Sequence, residues 1–290
     1  MLFTTGAIGS GFSLNYFSDP ADVVTGYPLS NAENDTMWTF GAVKFYNYTL
    51  PSPLSLAGSK GSFYRQLATA TKVLAIIKPM PIDFTLTGTI FYRFQVVNGV
   101  PANDDPGGTL FDSGWLFDGA TTGYNSRFNS NFYCVLPTLM GGSGERVIFS
   151  LFHQFNQSSP RYMKFAFASG FRAYEPEFCA SYGSRLSLID GTAKSVAESG
   201  ATLFGPKKRL RRSLALNMEK MPRDELYNDL LEQVVYTTGY SGNFIAILEP
   251  DNHETYMHSA IFGSLREDRF DAEFNSWERF NSSINIDESI

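Results

Sequence analysis

The chain has 290 residues and a net charge of −6, and 43% of its side chains are apolar, enough for a sizeable core and too many for a disordered chain. The acidic balance excludes a globally basic nucleic-acid binder but leaves room for a local basic patch. Only 18% of residues are charged while 15% are aromatic, a balance that suggests a surface partly covered by other chains.

Residues 1–35 are rich in Gly, Ser, Asn and Thr and read as an extended N-terminal arm or loops. The first β-rich run is 38–48, where Val43, Phe45 and Asn47 alternate with Ala42, Lys44 and Tyr46 until Pro51 and Pro53 stop it. Residues 62–71 (SFYRQLATAT) read as a short helix, with Ser62 as its cap and Phe63, Leu67 and Ala70 on one face. The clearest strand is 84–97. Phe84, Leu86, Ile90, Tyr92, Phe94 and Val96 are predicted to face the core, with Thr85, Thr87, Thr89, Arg93 and Gln95 on the opposite side. A loop by composition follows at 98–108 (NGVPANDDPGG). Further strands are expected at 109–117, 128–137, 146–155 and 162–174. Strands separated by Gly, Pro and Asn turns, with little helix between, indicate an antiparallel sandwich or barrel.

The character changes near Glu175. Beyond it the chain is more polar and reads as a partly irregular extension. It holds a basic run at 205–212, a helix at 222–236 with Leu226, Leu230 and Val234 on one face, and a strand-like run at 242–248.

Catalysis should leave clustered nucleophiles, bases or ligands, and none is evident. His253 and His258 stand five positions apart, whereas two ligands on one helical face need a spacing of four. The Asp-Ser-Gly at 112–114 lacks the second, matching carboxylate of an aspartic-protease site and reads as a turn. The glycines at 6–11 have neither a lysine nor a preceding strand, so they fit no phosphate-binding loop. Cys134 and Cys179 are too few for a disulfide scaffold or a Cys-rich zinc fold, and their spacing does not decide whether they pair. No cofactor or metal site is expected. No apolar run reaches the length of a membrane-spanning helix, and the N-terminus lacks the basic segment of a secretory signal. The one sharp local signal is Lys207, Lys208, Arg209, Arg211 and Arg212. Five like charges cannot be buried without paired acids, so an exposed basic loop and processing site is the expectation.

Residues 62–67 (SFYRQL), the strand-like 72–79 and the long aromatic 84–97 (FTLTGTIFYRFQVV) together resemble the front half of a picorna-like virus capsid protein, of the insect or marine algal virus type. The later order is similar too: an Asn-rich segment ending at Pro137, then 146–155, then 162–171. The likeness spans roughly residues 38–175. It implies an antiparallel eight-stranded jelly roll at 36–175, an N-terminal arm at 1–35 that crosses into neighbouring subunits, and a C-terminal extension at 176–290 that is long for the family. The implied function is structural and non-enzymatic: a major capsid protein that assembles with like and related subunits into the icosahedral shell of a small positive-strand RNA virus. Genomic RNA would lie at the inner surface, and the protein, made in the host cytoplasm, would reside in the virion. In that family the side of the chain holding 207–212 reaches the outer surface. Some insect-virus members carry an Asp-Asp-Phe motif linked to peptide cleavage. This chain has Asp104-Asp105-Pro106 instead, so that activity is not implied. The alternative reading of the same β-rich profile is a sandwich binding module, such as a phage or surface adhesin or a carbohydrate-binding domain.

Overall fold

Strands dominate because aromatic and β-branched side chains recur at every second position, a spacing that sends them to one side of an extended chain. The computed structural model describes residues 1–7, 14–17, 29–32, 41–68, 70–77, 80–81, 90–117, 131–142, 144–154, 161–177, 184–206, 210–236, 239, 242–266, 270–276 and 278–289. These residues form an all-β protein of antiparallel sheets, divided into two compact units. The larger unit comprises Thr4–Ala173 and Glu249–Ala260. The smaller comprises Met1–Phe3, Tyr174–Leu248 and Ile261–Ile290.

The first strands in chain order are β1 (Leu2–Ala7), β2 (Leu14–Tyr16), β3 (Gly41–Thr49), β4 (Ala57–Gln66), β5 (Thr71–Ile77), β6 (Met80–Pro81) and β7 (Ile90–Asn98). They are followed by β8 (Phe111–Asp112), β9 (Leu116–Phe117), β10 (Phe132–Met140), β11 (Glu145–His153), β12 (Arg161–Phe165) and β13 (Phe167–Tyr174). In the larger unit one sheet runs β6-β12-β3-β4-β11-β7-β8, with β2 added at β4 and β9 at β7, and strands in the order β10-β5-β13 pair in a second. Their facing sides make one apolar slab. Val43, Phe45, Phe63, Phe94 and Phe149 of the first meet Leu74, Ile76, Phe132 and Leu136 of the second. Phe63 stacks between Phe149 at 5.0 Å and Phe165 at 4.6 Å, and Tyr92 stacks on Phe132 at 4.5 Å. Each buried ring of this kind contributes about 1.5–3 kcal/mol relative to exposure.

The inward set Ile90, Tyr92, Phe94 and Val96 is buried as the alternation predicts, whereas residues 84–89 lie outside the described residues. The opposite side of β7 differs from expectation, because Phe91, Gln95 and Val97 are buried too. Phe91 is covered by a second apolar cluster on that side, Leu50 and Phe152 with Trp115 and Leu56, and by the ring of Phe117, which β9 brings alongside β7. Residues 62–71 are not a helix. Ser62–Gln66 belong to β4, which pairs with β11 from Ser59 to Gln66 and with β3 from Ala57 to Lys60. Ladders on both sides outweigh a weak local helical preference. Gly61 belongs to the same arrangement, since a Cβ there would collide with the Phe45 ring. The run at 162–174 is two strands. At Ala166, whose N–H donates to the Ile77 carbonyl at 2.9 Å, the chain passes from β12, paired with β3, to β13, paired with β5.

The smaller unit contains β14 (Arg185–Asp190), β15 (Lys194–Val196), β16 (Thr202–Phe204), β17 (Leu210–Pro222), β18 (Phe244–Ile247), β19 (Ala260–Leu265), β20 (Ala272–Ser276) and β21 (Arg279–Glu288). Residues 176–290 are therefore far more regular than their composition suggests. The reason is a core of their own: Leu214, Leu216, Met218, Ile284 and Ile286 from the β17–β21 ladder, with Leu226, Leu230 and Val234 from a π-type helix at Glu225–Tyr236. That helix falls where the sequence places one. The start of the chain is also corrected, because Leu2 and Phe3 are not part of a loose arm. They are buried, and in β1 they pair with Ile247 and Ala246 of β18.

Candidate functional site

The basic run is split between two environments. Lys207, Lys208 and Arg209 lie outside the described residues, and Leu210 opens β17. Arg211 is exposed. Arg212 is not part of an exposed loop, being only 2% exposed. Its Nε and Nη2 donate to Glu288 Oε1 at 3.0 and 2.5 Å, and its backbone N–H donates to Glu288 Oε2 at 2.9 Å. Buried charge demands a partner, and the β17–β21 ladder brings one from 76 positions away.

Next to this ladder lies an apolar edge. Strand β14 pairs with β17 alone among the described residues, in a register that sets Leu186 opposite Leu214 and Leu188 opposite Arg212. Residues opposite one another share a sheet face, so the core face of β17 continues onto two exposed leucines. The two-stranded ribbon β15–β16 adds Val196 (73% exposed) and Phe204 (66%). An isolated ribbon of this size is marginal in water, and the patch is of the kind that marks association surfaces.

The larger unit carries the most organised polar constellation. On the outer side of the first sheet, register aligns Lys60 (β4), Phe152 (β11) and Phe91 (β7) in one row and Ser62, Ser150 and Arg93 in the next. Lys60, 3% exposed, puts Nζ 3.1 Å from Asp104 Oδ2 and 4.4 Å from the Tyr48 ring centre. Arg93 donates through Nε and Nη2 to the two oxygens of Asp112 at 2.9 and 2.5 Å and through Nη1 to Asp105 Oδ1 at 3.1 Å. Its guanidinium also lies 5.9 Å from the centre of Trp115, whose ring meets Phe152 edge-on at 6.0 Å. Hydrogen bonding to Asp112 raises the Arg93 pKa against the opposing effect of burial. Burial pushes the Asp112 carboxyl up, but hydrogen bonds from Arg93 and the Gly114 N–H, with the Arg93 charge, pull it below the usual carboxylate value. Asp112 is thus held ionised and is unsuited to act as a general acid. The Asp-Ser-Gly segment is the turn the sequence suggests, closed by Gly114 N–H on Asp112 Oδ1 at 2.9 Å.

Two clefts open at this constellation. One, of about 400 Å³, is lined by Tyr46, Asn47, Tyr48, Lys60 and Asp104. The other, of about 440 Å³, is lined by Pro51, Leu54, Arg93, Asp105 and Trp115. Sequence reasoning marked none of these residues as a site. The available signal was two cations on strand faces otherwise filled by aromatic and hydroxyl side chains, with three aspartates in the segment that follows.

The remaining chemistry-bearing groups do not converge. Cys134 is a free thiol, buried, and burial pushes its pKa up to about 12, which leaves it protonated and unreactive at neutral pH. His253 is exposed, and the side chain of His258 lies outside the described residues, as does Cys179. Among the described residues no group of three His, Cys, Asp or Glu side chains has a geometry that could hold a metal ion, and no helix is long and apolar enough to cross a membrane. No protein-family model, curated protein or solved structure matches this chain.

Proposed function

We propose that the chain is a capsid subunit of a small icosahedral positive-strand RNA virus of the picorna-like kind, and that its larger unit is an eight-stranded jelly roll. Strand order carries this reading. Counted along the chain, the eight are β3, β4, β5, β7, the β8/β9 pair, β10, β11 and the broken β12/β13. The first, eighth, third and sixth are neighbours in series (β3-β12/β13-β5-β10), as are the second, seventh, fourth and fifth (β4-β11-β7-β8/β9). That double alternation is the strand order of a jelly roll, in which two Greek keys wrap a single slab. The extra β3–β4 pairing links the two series at one edge.

In this reading the protein works by assembly, not catalysis. Its partners are copies of itself and related capsid proteins, with genomic RNA enclosed, and its place is the virion after synthesis in the host cytoplasm. The uncovered leucines of β14 and the β15–β16 ribbon suit lateral contacts, since obligate interfaces are more apolar than ordinary surface. Lys207, Lys208, Arg209 and Arg211 make up the stretch proposed for processing, of which Arg211 is exposed. Arg212 is excluded by its burial. The test is size. Purified protein, or particles from the native source, should sediment as megadalton shells that contain RNA and appear isometric by negative-stain microscopy. A monodisperse monomer that never assembles would overturn the reading. In intact shells trypsin should cut first after Lys207, Lys208, Arg209 or Arg211. Resistance there until the RNA is removed would place the stretch inside instead.

A further inference from the structure

We infer that the outer side of the β4–β11–β7 face binds a neutral oligosaccharide, with sugar rings seated in the two clefts beside Trp115 and Tyr48. The volumes fall within the roughly 300–1,000 Å³ of small-molecule sites, and the lining mixes apolar surface with a few fixed polar groups, as such sites require. A pyranose ring has an apolar C–H face and a rim of hydroxyls. The first needs a flat aromatic surface, and the second needs carboxylates and amides that accept and donate at close spacing. The clefts offer both. Trp115 lines one and Tyr48 with Tyr46 the other, and the adjacent Asp104 and Asp105 place one carboxylate in each.

The carboxylates are pre-oriented. Lys60 holds Asp104 through Oδ2 and Arg93 holds Asp105 through Oδ1. Neither second carboxylate oxygen has a hydrogen-bond partner among the described residues, and the side chains are 37% and 56% exposed. Acceptors locked in place and open to solvent lose little freedom when a hydroxyl docks. The charge pattern selects against anions. Arg93 is largely buried beneath the aspartates that neutralise it, so the charge facing water at the Trp115 cleft is negative, whereas the Tyr48 cleft is lined by the half-buried Lys44 as well as Asp104. At the Trp115 cleft a phosphate, a nucleic acid or a sialylated sugar would meet the Asp105 carboxylate first. An extended peptide is disfavoured as well. β4, β11 and β7 are already paired along both edges where the clefts lie, which leaves no backbone edge for an added strand.

The inference rests on the larger unit alone and does not depend on assembly, so it is tested on the full chain whether or not shells form. Lactose, cellobiose, maltotriose and diacetylchitobiose are the probes, followed by titration calorimetry and by saturation-transfer NMR. At least one should bind, and sialyllactose should bind more weakly than lactose. Asp105→Asn keeps the side-chain shape at an exposed position. It should weaken binding about tenfold, the scale of one charged hydrogen bond, while the melting temperature stays within a few degrees. Trp115→Phe retains an aromatic face and should weaken binding less than Trp115→Ala. No binding by any of the four probes, tighter binding of sialyllactose, or an unchanged affinity in Asp105→Asn would each overturn the assignment.

Discussion

The two units bury charge in different ways. In the larger, Lys60 and Arg93 stand on the outside of a sheet and take their acids from the segment that follows β7, so Arg93 and Asp112 are 19 residues apart and Lys60 and Asp104 are 44 apart. In the smaller, Arg212 lies beside the core leucines of its own strand, and its acid, Glu288, is 76 residues away on β21. The cores differ as well. The larger is a stack of aromatic rings between two sheets, and the smaller is mostly Leu, Ile, Val and Met under one long ladder and a helix. A sheet that alternates aromatic and polar residues is specified locally. A sheet that closes on a distant carboxylate is specified only once the chain has folded.

The comparison breaks most readily at the aromatic slab. Phe94 is fully buried and contacts Phe149 and Tyr92 edge-on at 5.6 Å each. Phe94→Ala should lower stability by about 3–5 kcal/mol, the usual cost of a large cavity in a rigid core. Urea unfolding followed by the larger unit's Trp115 fluorescence should move to a lower midpoint with an unchanged slope. A shift below about 1 kcal/mol would mean that the slab repacks and does not set the unit's stability.

The second break is Glu288→Ala, which leaves Arg212 charged, buried and without its carboxylate. The expected loss is about 3 kcal/mol, at the low end for a broken buried pair because β21 ends at Glu288 and water can reach the site by fraying. The double change Arg212→Met with Glu288→Leu should recover most of it, since an apolar pair of similar volume needs no compensation. If the single change were neutral, the pair would be a surface contact and the contrast between the units would fail.

Legibility follows the same division. Ile90, Tyr92, Phe94 and Val96 announce the inward face of β7, because nothing interrupts their period of two. In β4 the inward residues include Phe63 and Arg65, and Leu67 continues the same side just past its end. The arginine in the middle masks the strand, leaving Phe63, Leu67 and Ala70 to imitate a helical face. Arg65 can sit inside because its Nη1 donates to the Ala168 carbonyl at 2.8 Å, a partner 103 residues away. The clefts were illegible for the same reason: Asp104 is 44 residues from Lys60, and no local pattern links a lysine in β4 to an acid in the segment after β7. The basic run is expected to lie exposed as a whole, and nothing local marks Arg212 as the one that pairs with Glu288, because the β17–β21 register decides it.

A smaller effect sharpens the contrast from the acid side. Asp112→Asn removes one charge from the Arg93 cluster and should cost about 1 kcal/mol at neutral pH, since Asp112 is partly exposed and solvent screens it. The sign with pH is fixed. The folded Asp112 pKa lies below its unfolded value near 3.8, so its contribution is complete above that value and is lost as pH falls through the lowered one. The stability difference between wild type and variant should therefore be flat from pH 8 to about 5 and shrink below about 4. A difference that grew on acidification would show that Asp112 is not held ionised by Arg93.

The mildest probe changes nothing in the native state and reads the larger core directly. Cys134 lies in the slab with Leu136 and Phe132, its thiol pushed up to about 12 by burial. Only the thiolate attacks a disulfide reagent, so at pH 8 both low thiolate content and lack of access protect it. In a Cys179→Ser background, which leaves Cys134 as the only thiol, Ellman's reagent should release no colour from the folded protein over minutes and one equivalent in urea. Labelling must then wait for opening of the slab, so its rate should follow the opening equilibrium. Adding Phe94→Ala should raise the rate by roughly a hundredfold or more, the factor that about 3 kcal/mol implies. Rapid labelling of the parent protein at pH 8 would mean that Cys134 is reached without unfolding the aromatic stack, and the larger core would be looser than its ring packing indicates.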